Sequence, residues 1–116
     1  GVSDFRDAGA EVYLTSDDGS LEFKGFVTDL LARRISEGFR PGHIVGCGPE
    51  PMLKALARLA ARLKVPCHLS LETPMACGLG ICFSCVTKVK TADGWDYKRV
   101  CLDGPIFDAS CLVLDE

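Results

Sequence analysis

The stretch Met75-Ala76-Cys77-Gly78-Leu79-Gly80-Ile81-Cys82-Phe83-Ser84-Cys85 constrains this chain more than any other. Four residues separate Cys77 from Cys82, two separate Cys82 from Cys85, and Cys101 follows sixteen positions after Cys85. This is the C-x4-C-x2-C…C spacing of plant-type 2Fe–2S centres. Each iron takes tetrahedral sulfur, and two bridging sulfides leave four places for protein thiolates. Three would come from one tight loop and the fourth from a returning segment, so Cys77, Cys82, Cys85 and Cys101 are the candidate ligands. Gly78 and Gly80 suit such a loop, because wrapping a cluster needs positive φ and close backbone approach. Backbone N–H groups can then point at the sulfurs and tune them.

Two other readings remain. Four thiolates would also hold a structural zinc, although zinc sites usually pair two short cysteine knuckles and here Cys101 stands alone. A Cys77–Cys82 disulfide would suit a secreted domain. An odd total of seven cysteines fits disulfide pairing poorly. Four ligands leave Cys47, Cys67 and Cys111 over, a pattern expected of a reducing, cytoplasmic compartment.

At 116 residues the chain is one average domain or two small ones. A net charge of −3 and the lack of a basic run argue against a nucleic-acid surface. No apolar run is long enough to span a bilayer and none reads as a signal peptide, so no membrane partner is expected.

The elements follow in order. Residues 1–10 read as the tail of a helix and its turn, and Glu11 to Thr15 as a short buried strand. Ser16 to Ser20 carries strong turn chemistry. Val27, Leu30, Leu31 and Ile35 recur at helical spacing until Gly38 and Pro41-Gly42. His43 to Cys47 reads as a second strand. A helix over about 50–63 follows, with Pro in its first turn and Met52, Leu53, Leu56, Leu59, Ala60 and Leu63 as its core stripe. Cys67 to Leu71 is a third strand. Strand–helix–strand–helix–strand with short links predicts a parallel sheet. Past Leu71 the period changes. Val86 to Lys90 alternates, Thr91-Ala92-Asp93-Gly94 turns, and Trp95 to Val100 returns as a partner strand that delivers Cys101. Leu102 to Phe107 reads as a loop.

The fold class expected is therefore α/β: half of a doubly wound parallel sheet over residues 1–71, then a small β-hairpin cluster domain over 72–116. The usual Gly-rich phosphate turn after the first strand is absent. Residues Gly46 to Met52 close a strand and open a helix, where ligands of open α/β sheets bind. A tight strand-to-helix turn with Cys47 as a small hydrophobe explains them equally well. Asp17, Asp18 and Ser20 are more often turn formers than sugar contacts. His43 and His68 read as structural, Glu72 as a surface carboxylate, and Trp95 and Tyr97 as hairpin packing. No Ser–His–Asp arrangement and no paired acid/base carboxylates stand out, so the chemistry expected is electron movement.

These residues also carry a resemblance. Cys47-Gly48-Pro49-Glu50-Pro51-Met52 resembles the C-G-P-x-P-M segment of the ferredoxin–NADP reductase superfamily. Ser70-Leu71-Glu72, the Met75 to Cys85 loop, and Tyr97-Lys98-Arg99-Val100-Cys101 with Asp103-Gly104-Pro105 and Phe107-Asp108 resemble one branch of it closely. That branch is the electron-transfer subunits of NAD-linked dihydroorotate dehydrogenases. Thr15 to Ser20 with Lys24 to Val27 is similar to its nucleotide half. The resemblance covers almost the whole chain, and the cysteine segment is its most specific part. It implies that an FMN-containing catalytic subunit oxidises dihydroorotate to orotate in pyrimidine biosynthesis. A 2Fe–2S cluster relays single electrons to FAD, which passes a hydride to NAD+. Carried over, Cys77, Cys82, Cys85 and Cys101 bind the cluster. Cys47, Gly48, Pro49, Glu50 and Met52 lie by the nicotinamide, and Thr15 and Asp17 belong to the nucleotide site. The flavin barrel and first nucleotide strand of that family have no counterpart in these residues. FAD and NAD are thus expected only with an N-terminal part, and no catalysis from this segment alone. Subunits serving a hydrogenase, a sulfide dehydrogenase or a ferredoxin–NAD(P) reductase share the same segments. A zinc-binding interaction module is the non-redox alternative.

Overall fold

The computed structural model describes residues 1–21 and 23–114. The last two residues of the 72–116 segment therefore lie outside the described residues. Two compact units are present, Gly1–Phe39 and Arg40–Glu116.

The first unit opens with α1 (Val2–Asp7), followed by Gly9 at φ +94. The strand expected over 11–15 is shorter than predicted. Only Thr15–Ser16 forms β1, and it lies parallel to β2 (Phe23–Lys24). Glu11 and Tyr13 are exposed, and Val12 and Leu14 are only half-buried. Tyr13 is engaged from the side instead, with the Arg34 guanidinium carbon 4.8 Å from its ring. Between the two strands the Asp18 carboxylate accepts the Ser20 N–H at 2.9 Å. That bond, with the Ser20 and Ser16 hydroxyls, holds its pKa below the usual carboxylate value. Then α2 (Val27–Ser36) begins where the Asp29 carboxylate accepts the Phe26 N–H at 3.3 Å. Arg33 and Arg34 sit in its last turn, where the helix dipole favours cations. None of its residues is fully buried.

The second unit holds the core. A βαβ unit is built from β3 (Ile44–Cys47), α3 (Glu50–Leu63) and β4 (Cys67–Ser70). The two strands are parallel, in register from Ile44 opposite Cys67 to Cys47 opposite Ser70. Pro51 stands in the first turn of α3, where a missing N–H costs nothing. Lys64 ends the helix in a left-handed conformation, φ +57. Leu53, Leu56, Leu59 and Ala60 are the buried stripe of α3. They meet Ile44, Gly46, Cys67 and Leu69 on the inner face of the sheet. Each fully buried leucine contributes about 2 kcal/mol by leaving water. A methyl on Gly46 would collide with Leu56 Cδ2 and lie 3.1 Å from Leu69 Cδ2, so glycine is what lets helix and strand close up. The outer face stays open, with Val45 69% exposed.

An irregular loop over 71–85 leads to an antiparallel hairpin, β5 (Val86–Thr91) with β6 (Gly94–Arg99). Trp95 and Tyr97 stack edge-on, 5.1 Å between ring centroids, and Lys88 Nζ lies 4.5 Å from the Trp95 ring. They are the hairpin's own packing, as read from the sequence. Where the sequence predicts a continuing strand and then a loop, the chain makes one helical turn, α4 (Val100–Asp103). It then runs back as β7 (Ile106–Asp108), antiparallel to β4. The sheet of the second unit is thus β3–β4–β7, small and mixed. The predicted all-parallel sheet with the 11–15 segment as a member is not formed among the described residues. The parallel β3–β4 pair is as expected, and the architecture is mixed α/β. Among the described residues no helix is long and apolar enough to cross a membrane.

Candidate metal centre

The loop after β4 has almost no apolar support, and its shape comes from backbone and sulfur. Gly78 and Gly80 take φ +70 and +85, and Phe83 takes φ +60. Left-handed backbone costs a non-glycine residue roughly 1–2 kcal/mol, so Phe83 needs fixing from outside. Its ring lies 4.9 Å from the guanidinium carbon of Arg99. The loop's two ends are tied to the hairpin and the returning chain. The N–H of Val100 donates to the Cys85 carbonyl at 2.8 Å, and the N–H of Leu71 to the Pro105 carbonyl at 2.9 Å. Ser84 Oγ accepts the Ala76 N–H at 3.1 Å, closing the loop across its mouth.

Of the four predicted ligands, Cys77, Cys82 and Cys85 lie in this loop and Cys101 lies in α4. Cys85 is buried, Cys77 and Cys101 are half-buried and Cys82 is exposed. Backbone donors are aimed at the sulfurs. The N–H groups of Leu79 and Ile81 reach Cys77 Sγ at 3.2 and 3.4 Å, and the N–H of Cys101 reaches Cys85 Sγ at 3.4 Å. Cys82 Sγ lies 3.0 Å from Ser84 Oγ.

These donors stabilise thiolates. The N–H groups of Leu79, Cys82 and Ile81 bring the Cys77 thiol down to about 6. Cys82 is lowered by the Ser84 hydroxyl and N–H. Cys85 is lowered by the N–H of Cys101 and then by its thiol. Cys101 moves the other way, because its proton is held by Cys85 and because it is partly desolvated.

The donor set fits a two-iron cluster. Such a cluster asks two thiolates of each iron and N–H groups on the sulfurs.

The other predicted site residues are more scattered. Cys47 closes β3 and is exposed. Gly48 is held tight, since a Cβ there would lie 2.8 Å from Met52 Cε. Pro49 precedes α3, and Glu50 opens it with an ion pair to Lys54 at 3.3 Å. These residues form the strand-to-helix turn at the carboxyl end of β3. Thr15 lies in β1 and Asp17 is exposed beside it, both within the first unit. Cys67 is buried under α3, and burial, then the Asp108 charge, raises its pKa. Sequence reasoning missed two features. Arg99 Nη1 donates to the Gly80 carbonyl at 2.8 Å, a bracing contact whose signal was the Tyr97 to Cys101 segment itself. His43 Nε2 and His68 Nδ1 lie 2.8 Å apart, rings stacked at 4.9 Å. The parallel register of β3 and β4 brings them together, and no local spacing announced it.

Comparison with known proteins defines first a class. A solved NADH-dependent reduced ferredoxin–NADP oxidoreductase, described in work on flavin-based electron bifurcation, superposes with a TM-score of 0.79. The two are 30% identical, over 98% of this chain and 39% of that one. The mixed α/β fold is similar to that of ferredoxin–NADP reductases. Residues 72–113 match the family described as "Iron-sulfur cluster binding domain of dihydroorotate dehydrogenase B". The chain as a whole is related to proteins named "Dihydroorotate dehydrogenase B (NAD(+)), electron transfer subunit". It is 46% identical to the one from Caldanaerobacter subterraneus, over 84% of this chain and 38% of that protein. The Fusobacterium nucleatum protein is 44% identical over 90% of this chain and 39% of its own length. The chain thus spans somewhat over a third of the relatives it matches.

Proposed function

We propose that this chain is the cluster-carrying C-terminal part of an electron-transfer subunit of NAD-linked dihydroorotate dehydrogenase. The observation that carries the reading is the set of backbone N–H groups aimed at the Cys77 and Cys85 sulfurs. Cys77, Cys82, Cys85 and Cys101 hold a 2Fe–2S cluster. When bound, the cluster supplies one-electron exchange between a dihydroorotate-oxidising, FMN-containing catalytic subunit and the flavin and NAD side. The chain's own residues hold four thiolates in place, donate hydrogen bonds to them, and leave one edge of the centre open through exposed Cys82. Cys47, Gly48, Pro49, Glu50 and Met52 line the nicotinamide side. Thr15 and Asp17 serve the nucleotide, and FAD and NAD bind together with further polypeptide. The division of labour falls at 71/72, a partial nucleotide-binding region followed by the cluster region.

The doubly wound reading draws support from two features of the sheet. The outer face of the parallel pair is open at Val45, and parallel sheets are normally covered on both faces. The outer edge of β3 has no strand beside it among the described residues. Further strands and helices of the nucleotide domain fit there. The compartment consistent with free thiolates is the cytoplasm.

The test is an anaerobic purification followed by a visible spectrum with iron and acid-labile sulfide assays. About two irons and two sulfides per chain are expected, the stoichiometry of this cluster class. Stoichiometric zinc without sulfide overturns the reading. The structural match to a ferredoxin–NADP oxidoreductase favours a second reading, a reductase subunit of the ferredoxin–NAD(P) kind. Stopped-flow reduction separates the two. Bleaching of the cluster by reduced ferredoxin, and not by a dihydroorotate-reduced catalytic subunit, selects the second.

A further inference from the structure

One peptide bond of the loop faces a cation at one end and a candidate ligand at the other. Arg99 Nη1 donates to the Gly80 carbonyl at 2.8 Å. That carbonyl belongs to the peptide joining Gly80 to Ile81, and the N–H of the same peptide donates to Cys77 Sγ at 3.4 Å. Hydrogen bonds in series polarise one another. A guanidinium on the carbonyl therefore strengthens the N–H as a donor to sulfur.

Arg99 is itself held on several sides. Its guanidinium carbon lies 4.9 Å from the Phe83 ring. Its Nε lies 3.8 Å from Asp103 Oδ2, and its backbone N–H donates to the same oxygen at 2.8 Å. Its side chain is only 28% exposed, which limits solvent screening. The planar fork makes these contacts at once, and an ammonium would not.

We propose that Arg99 is a positioning residue of the metal centre. It holds the 77–85 loop in the shape that presents the thiolates, and it acts on the Cys77 sulfur through the Gly80–Ile81 peptide. This rests on the cluster reading. Reduction adds negative charge to a cluster, so a fixed cation nearby raises its potential, and Asp103 works against it.

The experiment uses the whole chain as wild type, Arg99→Gln, Arg99→Lys and Asp103→Asn. Iron and sulfide are assayed after anaerobic reconstitution. Midpoint potentials are then titrated by the visible spectrum, and chymotrypsin cleavage at Leu79 and Phe83 is timed on the metal-free proteins. Arg99→Gln is expected to lower the potential and to speed cleavage several-fold. Arg99→Lys restores part of the potential and none of the protection. Asp103→Asn, which keeps an acceptor for the Arg99 N–H, raises the potential. Wild-type potential and wild-type cleavage in Arg99→Gln overturn the proposal, and faster cleavage at unchanged potential overturns its electrostatic half. If Arg99→Gln does not fold, the direction of the Asp103→Asn shift decides. If the wild type takes up no iron, the cluster reading itself fails, and equal cleavage rates in wild type and variants then overturn the loop-holding role.

Discussion

The α3–sheet region and the cysteine loop belong to one compact unit and are held by different physics. The first is made by burial: Leu69 is 0% exposed and Leu53 3%. The second keeps its large apolar side chains outside, with Leu79 73% and Ile81 72% exposed. Its conformation rests on two glycines at positive φ, hydrogen bonds to sulfur and one arginine. A region built by packing tolerates the loss of a polar contact and suffers from a cavity. A region built around ligands should show the reverse.

The sharpest break in that comparison is Cys82→Ser. It should abolish the visible colour and most iron and sulfide, and loosen residues 72–107, because metal-binding energy is folding energy there. Cys111→Ser should leave spectrum and metal content unchanged. Equal behaviour of the two overturns the ligand assignment. Next in size is Leu69→Ala, expected to cost about 2–5 kcal/mol by urea denaturation. Leu79→Ala should stay within about 0.5 kcal/mol. A large loss from Leu79→Ala would show that the loop packs against something after all. Gly46→Ala should cost about 1–3 kcal/mol through overpacking against Leu56, read from the same denaturation curves.

The smallest effect concerns pH. A lowered thiol pKa means the thiolate persists as pH falls and is lost only through the folded value. In metal-free protein, Cys77 alkylation by iodoacetamide should be on its plateau at pH 7 and fall to half near about 6. Cys67, whose buried thiol is shifted upward, should stay unlabelled through neutral pH. Peptide mass spectrometry reads both. A Cys77 profile centred at the usual thiol value would show that the N–H donors are not aimed at it in solution.

The same contrast explains what the sequence made legible. The cysteine loop is local: its spacing and glycines are read directly along the chain, and Gly78 and Gly80 do take positive φ. The stripe of α3 was equally plain, since Leu53, Leu56, Leu59 and Ala60 recur at the helical period. The misreadings are tertiary. Ile106–Asp108 is three residues long and follows Gly104-Pro105, which locally spell a turn. Only β4 makes it a strand. Glu11 to Thr15 reads as a buried strand, but only Thr15 of it enters a ladder. His43 and His68 are brought together by strand register. Arg99 reaches Gly80 across nineteen positions, a contact that only the folded chain makes.

The hydrogen bond from Leu71 to Pro105 carries one more consequence. The chain leaves the sheet at the end of β4 and rejoins the same strand end, with Ser70 opposite Ile106. Loop, hairpin and helical turn are thus one excursion whose departure and arrival share a doorway. The insert is latched beyond that doorway as well: Val89 bridges Leu112, and the Val113 N–H donates to the Lys88 carbonyl at 3.1 Å. A pull on the hairpin therefore loads the chain on both sides of β7.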